Sequence, residues 1–320
     1  MPAVSRWKWL ALAVVALACG SRGETTEGPL VVFTAGSLAR PMRTALDSFA
    51  SQSGVRYELE SAGSLETARK LTELGKIPDV IALADEDVFP KVLIPAQVSW
   101  YVRFAENRIV LAYTDRSRHA ADIDTTNWWQ ILHSPGMEIG RSNPDLDPAG
   151  YRTLMVFQLA ERHYGAAGLA KSLEKTAHPR NMRPKEIELV ALLESGDLDY
   201  AWFYESMARA SGVRYVQLPA AIDLGSADLA ATYAEASVRV IGASARDTVT
   251  MRGAPIRYAF SIPDKAPHPT VAGRFAEFLL SDRGRMALQS EFLSVLPQPD
   301  AVGGPVPDVV RSALSRNPAK

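Results

Sequence analysis

The tetrapeptide Ala-Gly-Ser-Leu occurs twice, at Ala35-Gly36-Ser37-Leu38 and at Ala62-Gly63-Ser64-Leu65. Each copy stands between a strand pattern and a helix pattern. Ahead of the first is the β-branched and aromatic run Leu30-Val31-Val32-Phe33, and behind it Met42, Leu46 and Phe49 recur at helical spacing. Ahead of the second, Tyr57-Glu58-Leu59-Glu60 alternates, and behind it Leu65, Ala68, Leu71 and Leu74 share a face. Serine is a natural helix N-cap, and the small Ala-Gly pair lets the backbone turn sharply. Taken singly, either copy reads as an ordinary capped helix. Two such junctions in one lobe, however, would aim two helix N-termini and two hydroxyls across one sheet edge, which is an anion site.

The segment Val80-Ile81-Ala82-Leu83-Ala84 reads as a buried parallel strand, so strands and helices alternate in an α/β lobe. Arg108 to Tyr113 is a further strand and the expected crossing into a second lobe. There Trp128-Trp129 reads as packing rather than a ligand platform, and Glu138-Ile139-Gly140 as a short strand. The loop Ser142 to Arg152 is rich in Pro, Asn, Asp and Gly, with Asp147 just ahead of a helix that carries Leu154, Phe157 and Leu159. A third helix N-terminus is thus expected to point out of this lobe. Glu186 to Leu193 reads as an amphipathic helix, and Asp199 to Tyr204 as a strand with Glu205-Ser206 at its end, where ligands of open sheets bind. Val213 to Leu218 and Val238 to Ile241 supply further strands. Ile256 to Ile262 is the expected return to the first lobe, covered by helices over 271–280 and 283–292.

In sum, the chain is expected to be α/β and two-lobed. Lobe one takes 29–111 and 255–301, lobe two 112–254, and 302–320, which contains Gly303-Gly304-Pro305, is expected to be a loosely held tail. Residues 1–18 read as an export signal, with Arg6 and Lys8 ahead of an apolar run too short for a membrane span. The single cysteine, Cys19, follows Ala16-Leu17-Ala18 directly. Two fates are open: acylation of Cys19 as a lipid anchor, or simple cleavage into the periplasm. Residues 19–28 would form a tether.

Lysine and arginine number 35 against 36 acidic residues, which argues against a nucleic-acid partner. The five histidines lack metal-ligand spacing, and Ser172-Leu173-Glu174-Lys175, an S-x-x-K match without companion motifs, reads as a solvated helix face. Nothing demands an enzyme or a cofactor. What remains is an anion pocket with two carboxylates, Asp147 and Glu205, near it. A carboxylate beside a dianion repels it. Three resolutions are open: the carboxylates are solvated caps; they are protonated donors; or they bind the central atom of the oxyanion and expand its coordination, which molybdenum and tungsten permit and sulfur does not.

Over most of its length the sequence resembles the archaeal-type tungstate/molybdate substrate-binding proteins of ABC importers. The resemblance rests on the two Ala-Gly-Ser junctions, Leu74-Gly75-Lys76, Arg108 to Asp115, Thr126-Asn127-Trp128, Ser142-Asn143-Pro144, Asp147-Pro148 with Gly150 to Thr153, Leu193 to Gly196 with Asp199-Tyr200, and Tyr204-Glu205-Ser206. It implies a type II periplasmic binding-protein fold with the oxyanion between the lobes. It also implies that Ser37, Ser64, the Ala149 N–H and the Tyr204 hydroxyl donate to the anion's oxygens, while Asp147 and Glu205 ligate its metal. Arg152 would be structural. Leu146 and Ala149 depart from the family pattern, which commonly has an acidic residue and a cysteine there. The implied protein is exported, acts as a monomer in the periplasm or on the outer membrane face, and delivers tungstate or molybdate to an ABC permease and its ATPase. Sulfate or phosphate is the alternative ligand. An enzyme on a similar two-lobed scaffold would need a cysteine or an acid/base pair in the cleft.

Overall fold

The computed structural model describes residues 28–316. The export signal, Cys19 and the tether up to residue 27 lie outside the described residues. The first lobe opens with β1 (Leu30–Ala35), α1 (Ala39–Ser53), β2 (Tyr57–Ala62), α2 (Ser64–Thr72), β3 (Val80–Leu83) and β4 (Trp100–Glu106). Then follow β5 (Ile109–Tyr113), α3 (Trp128–Ile131), β6 (Ile139–Ser142), α4 (Pro148–His163), α5 (Leu169–Thr176), β7 (Met182–Arg183) and α6 (Glu188–Ser195). The second lobe continues through β8 (Tyr200–Tyr204), α7 (Glu205–Ala210), β9 (Arg214–Gln217), α8 (Ala230–Tyr233) and the hairpin β10 (Ser237–Ile241) with β11 (Thr248–Arg252). The chain returns through β12 (Arg257–Ser261), α9 (Pro269–Leu280), α10 (Asp282–Ser290), β13 (Ser294–Gly303) and α11 (Asp308–Ser315).

Two sheets result. One has six strands in the order β13-β4-β12-β3-β1-β2, the other five in the order β7-β6-β8-β5-β9. Within the first, β1 lies parallel between β2 and β3, and β12 enters antiparallel to β3 and β4. The strand β3 is apolar at every position and buried on both faces, as a central strand flanked by helices must be. Helix α1 turns Met42, Ala45, Leu46 and Phe49 inward, and Phe49 meets Phe275 of α9 edge-on with ring centroids 5.3 Å apart. In the second lobe Trp128 is fully buried and packs edge-on against Trp202 at 5.5 Å.

Two expectations change here, and one strand is added. The crossing is at Asn107-Arg108, because β5 pairs with β8 and β9 in the second sheet along its whole length. The expected limit at residue 111 therefore moves back to 107. The strand β4, unread in the sequence, forms the pairing surface for both β12 and β13. Residues 302–316 are no loose tail: β13 runs to Gly303, and α11 buries Val310 and Ala313. An apolar stripe at 309, 310 and 313 holds the segment on α9 and β13, whatever its flanking glycines and prolines suggest.

The two crossings lie side by side. The Asn107 N–H donates to the Ile256 carbonyl at 3.4 Å, and Ile256 N–H to Leu224 O at 2.8 Å. Across the cleft the lobes touch at several places. Leu65 and Glu66 N–H both donate to Leu146 O, at 3.1 and 3.3 Å. The hairpin β10-β11 reaches α2, where Thr72 Oγ1 donates to Ala243 O at 2.8 Å and Ala245 N–H to Glu73 Oε1 at 2.9 Å. Among the described residues no helix is long and apolar enough to cross a membrane.

Candidate functional site

The two serine junctions do not cap their helices. Ser37 sits in a single 3₁₀ turn, Gly36–Leu38, between β1 and α1, and Ser64 is the first residue of α2 behind Gly63; neither hydroxyl bonds its own helix. Ser64 Oγ instead accepts from the Ala84 N–H at 3.0 Å, and Ser37 Oγ from the Tyr258 hydroxyl at 3.1 Å. A hydroxyl oxygen that accepts from behind keeps its own proton for a ligand in front. At the N-terminus of α2 the N–H groups of Leu65 and Glu66, the second and third residues, are taken by Leu146 O. That approach needs Gly63, because a Cβ there would stand 2.1 Å from the Leu146 oxygen.

From the second lobe comes the loop 143–147, folded on itself by the Asn143 carbonyl, which accepts from Leu146 N at 3.1 Å and Asp147 N at 2.9 Å. Helix α4 starts against this loop, and Gly150 makes it possible: a Cβ would lie 2.6 Å from Ser142 O. Asp147 is the N-cap position of α4, with Ala149 in its first turn. The Asp147 carboxylate is buried and accepts from the Glu186 N–H at 3.1 Å. Burial pushes its pKa up to about 6, against the Ser142 hydroxyl and the Glu186 and Ala149 N–H groups, which pull it down.

Glu186 is the residue that sequence reasoning missed. It lies in the short link between β7 and α6 and is buried, with Oε2 accepting from the Tyr204 N–H at 3.1 Å. Its Oε1 finds no hydrogen-bond partner among the described residues. Burial first, and the neighbouring Asp147 charge second, drive its pKa well above the ordinary range. Tyr204 completes the group. Its hydroxyl accepts from Arg152 Nη1 at 2.7 Å, and its ring stands edge-on to Tyr258 at 5.7 Å.

Glu205 is not brought into this group. Its carboxylate pairs with Arg108 at 3.2 Å and accepts from the Tyr215 hydroxyl at 3.0 Å, on a face where the side chain is 24% exposed. Glu205 is the first residue of α7, where the chain turns away from the strand end, and its side chain is held by Arg108 and by Tyr215 of β9. The structure therefore gathers Ser37, Ser64, Asp147, Ala149 and Tyr204, leaves the Glu205 carboxylate outside the group, and sets that of Glu186 beside Asp147 and Tyr204. A signal existed in Arg183-Pro184-Lys185-Glu186, where a proline ends one element just ahead of the apolar helix run. It repeats the placement of Asp147, but the strand before it is only two residues long and leaves no periodicity to read.

Behind these groups, Arg152 of lobe two meets lobe one. Its Nη1 also donates to Ala84 O at 2.6 Å, and its Nη2 pairs with Asp85 at 3.2 Å. Tyr151 donates its hydroxyl to the same carboxylate.

Two α/β lobes joined by adjacent crossings, with polar groups of both turned into the cleft between them, define a type II periplasmic binding protein. The chain belongs to the bacterial extracellular solute-binding protein family, whose sequence model matches residues 30–293. It is 40% identical over 280 residues to a solute-binding protein of Petrotoga mobilis, covering 87% of either chain. To the molybdate/tungstate-binding protein of Pyrococcus abyssi it is 33% identical over 336 residues, covering 95% of this chain and 96% of the other. Among solved structures, the periplasmic molybdate-binding protein of Azotobacter vinelandii superposes with a TM-score of 0.57 at 17% identity, covering 84% of this chain and all of the other (100%). The sulfate-binding protein SubI of Mycobacterium tuberculosis superposes at 0.58 with 14% identity, covering 92% of each. At these identities the two structures share the fold and no more.

Proposed function

We propose that this protein captures tungstate or molybdate outside the cytoplasm and delivers it to an ABC permease driven by an ATPase. The observation that carries this reading is the buried pair Asp147 and Glu186, with Glu186 Oε1 unpartnered in a cleft otherwise furnished with hydroxyl donors. Hydrogen bonding alone gives a dianion site no use for two carboxylates, which would repel the ligand. As oxygen ligands of a metal centre that can expand from four to six coordination, they become the source of selectivity, since sulfur and phosphorus do not follow. In this reading the hydroxyls of Ser37, Ser64 and Tyr204 and the Ala149 N–H hold the oxo groups. The anion closes the two lobes by engaging residues of both. Charge-assisted hydrogen bonds contribute about 1.5–3 kcal/mol each, so four of them with two coordinate bonds, less desolvation and closure, suffice for nanomolar binding near about −12 kcal/mol. The similarity to the Pyrococcus protein, named for these two anions, supports the choice.

Capture of sulfate is the competing reading, because a sulfate-binding protein has the same fold. Isothermal titration with tungstate, molybdate, sulfate and phosphate at neutral pH separates the two. Tight one-to-one binding of the first two alone is the expected result; sulfate or phosphate of comparable affinity would remove the carboxylates from the site.

A further inference from the structure

Ser37 does not choose its own hydrogen-bond direction. Its oxygen accepts from the Tyr258 hydroxyl at 3.1 Å, and that hydroxyl in turn accepts from Asn107 Nδ2 at 3.1 Å. The amide of Asn107 cannot flip, because its Oδ1 accepts from two backbone N–H groups, Arg108 at 3.0 Å and Ser206 at 3.3 Å. Its Nδ2 therefore faces Tyr258 and Ser206 Oγ, the latter at 2.7 Å. With Nδ2 as a fixed donor, the single proton of Tyr258 goes to Ser37, and the single proton of Ser37 is left for whatever lies in the cleft. All of Asn107, Ser206, Ser37 and Tyr258 are buried, so water does not compete for these directions. Asn107 itself lies in the first crossing between the lobes, next to Ile256 of the second.

We infer that Tyr258 and Asn107 are positioning residues that fix the Ser37 hydroxyl as an obligatory donor to the bound oxyanion, from the segment on which the lobes turn. This rests on the reading that Ser37 binds the anion. Ser64 and Tyr204 are oriented in the same manner by the Ala84 N–H and by Arg152. The Ser37 arm runs through two neutral side chains, Asn107 and Tyr258, and that makes it testable by substitution. A donor polarised through aligned hydrogen bonds binds an anion more strongly than a free rotor.

The test is a double-substitution cycle read by titration with molybdate, using the wild-type protein, Ser37→Ala, Tyr258→Phe and the pair. Ser37→Ala is expected to weaken binding about 10- to 100-fold, the loss of one charge-assisted hydrogen bond. Tyr258→Phe is expected to weaken it roughly five- to tenfold in the wild type, yet less than about twofold in the Ser37→Ala background, because its effect passes through Ser37. A residue that merely packs the cleft gives the same loss in both backgrounds, and that result overturns the inference, as does no loss in either. Should Tyr258→Phe fail to fold, Asn107→Ala takes its place in the cycle with the same expected pattern. If Ser37→Ala leaves molybdate affinity unchanged, or the wild type binds no oxyanion, it is the functional reading that fails and the inference falls with it. Dependence on Ser37 with additive losses leaves that reading standing and removes the inference alone.

Discussion

At the scale of single residues, Glu186 carries the sharpest contrast between stability and function. Its Oε1 is buried without a partner among the described residues, so the ligand-free protein bears a desolvation cost that the Tyr204 N–H bond to Oε2 repays only in part. Glu186→Gln is expected to raise the stability of the ligand-free protein by about 1–2 kcal/mol. The same change should lower tungstate affinity a hundredfold or more, about 3 kcal/mol. Glu205→Gln, at a carboxylate held by Arg108 and Tyr215, should leave affinity within about threefold of wild type, the range of a surface ion pair. Melting curves with titrations of both variants check the pair, and a larger loss at Glu205 would restore it to the site. Asp147 makes a pH-dependent claim. Its pKa is raised from 3.8 to about 6 on burial, so folding favours the protonated form. That contribution is fully present below pH 3.8 and lost as pH rises through about 6. Relative to Asp147→Asn, the ligand-free protein should lose up to about 3 kcal/mol between those limits, measured by denaturation at several pH values.

At the scale of elements, the strand-turn-helix junctions were legible because their signals are local: a strand run, a small-residue turn, an apolar helical stripe. What they do was less so. Serine before a helix reads as a cap, whereas both hydroxyls are claimed by groups distant in sequence, Ala84 and Tyr258. Likewise Asp147 announces itself by its place between an irregular loop and a helix, while Glu186 follows a strand of two residues that only pairing with β6 defines. Strand β4 escaped for a similar reason, as its apolar pattern acquires meaning only between β12 and β13. The α2 junction gives a test at this scale. Gly63 has φ of −61°, so alanine costs no backbone strain, yet its Cβ would meet the Leu146 carbonyl of the opposite lobe. Gly63→Ala should therefore leave the melting temperature of the ligand-free protein nearly unchanged, since the lobes can part. It should weaken molybdate binding by about 1–3 kcal/mol, roughly fivefold to 150-fold, the cost of forced overpacking. A loss of stability without loss of affinity would show that this contact does not belong to closure.

For the whole molecule, the question is what holds the lobes together once they meet. The sequence suggested a structural role for Arg152; in the structure its guanidinium spans the lobes, joined to Ala84 O and Asp85 on one side and to the Tyr204 hydroxyl on the other. The pair with Asp85 is buried, with side-chain exposures of 5% and 9%. Breaking such a pair by removing one partner costs about 3–5 kcal/mol, because the other charge stays buried alone. Here an escape exists that a single-domain core lacks: opening the cleft returns Asp85 to water. Arg152→Met should thus move the population toward open forms and reduce apparent affinity in proportion to the lost closed fraction, about a hundredfold or more, with little change in melting temperature. Small-angle scattering would report a larger radius of gyration at molybdate concentrations that compact the wild type. Adding Asp85→Leu removes the stranded charge and should recover most of the compaction, since an apolar pair can replace a buried ion pair at small cost. Affinity would recover less, because the Tyr204 hydroxyl has lost the donor that directs its proton toward the cleft. Compaction and affinity returning in step would instead assign Arg152 to closure alone.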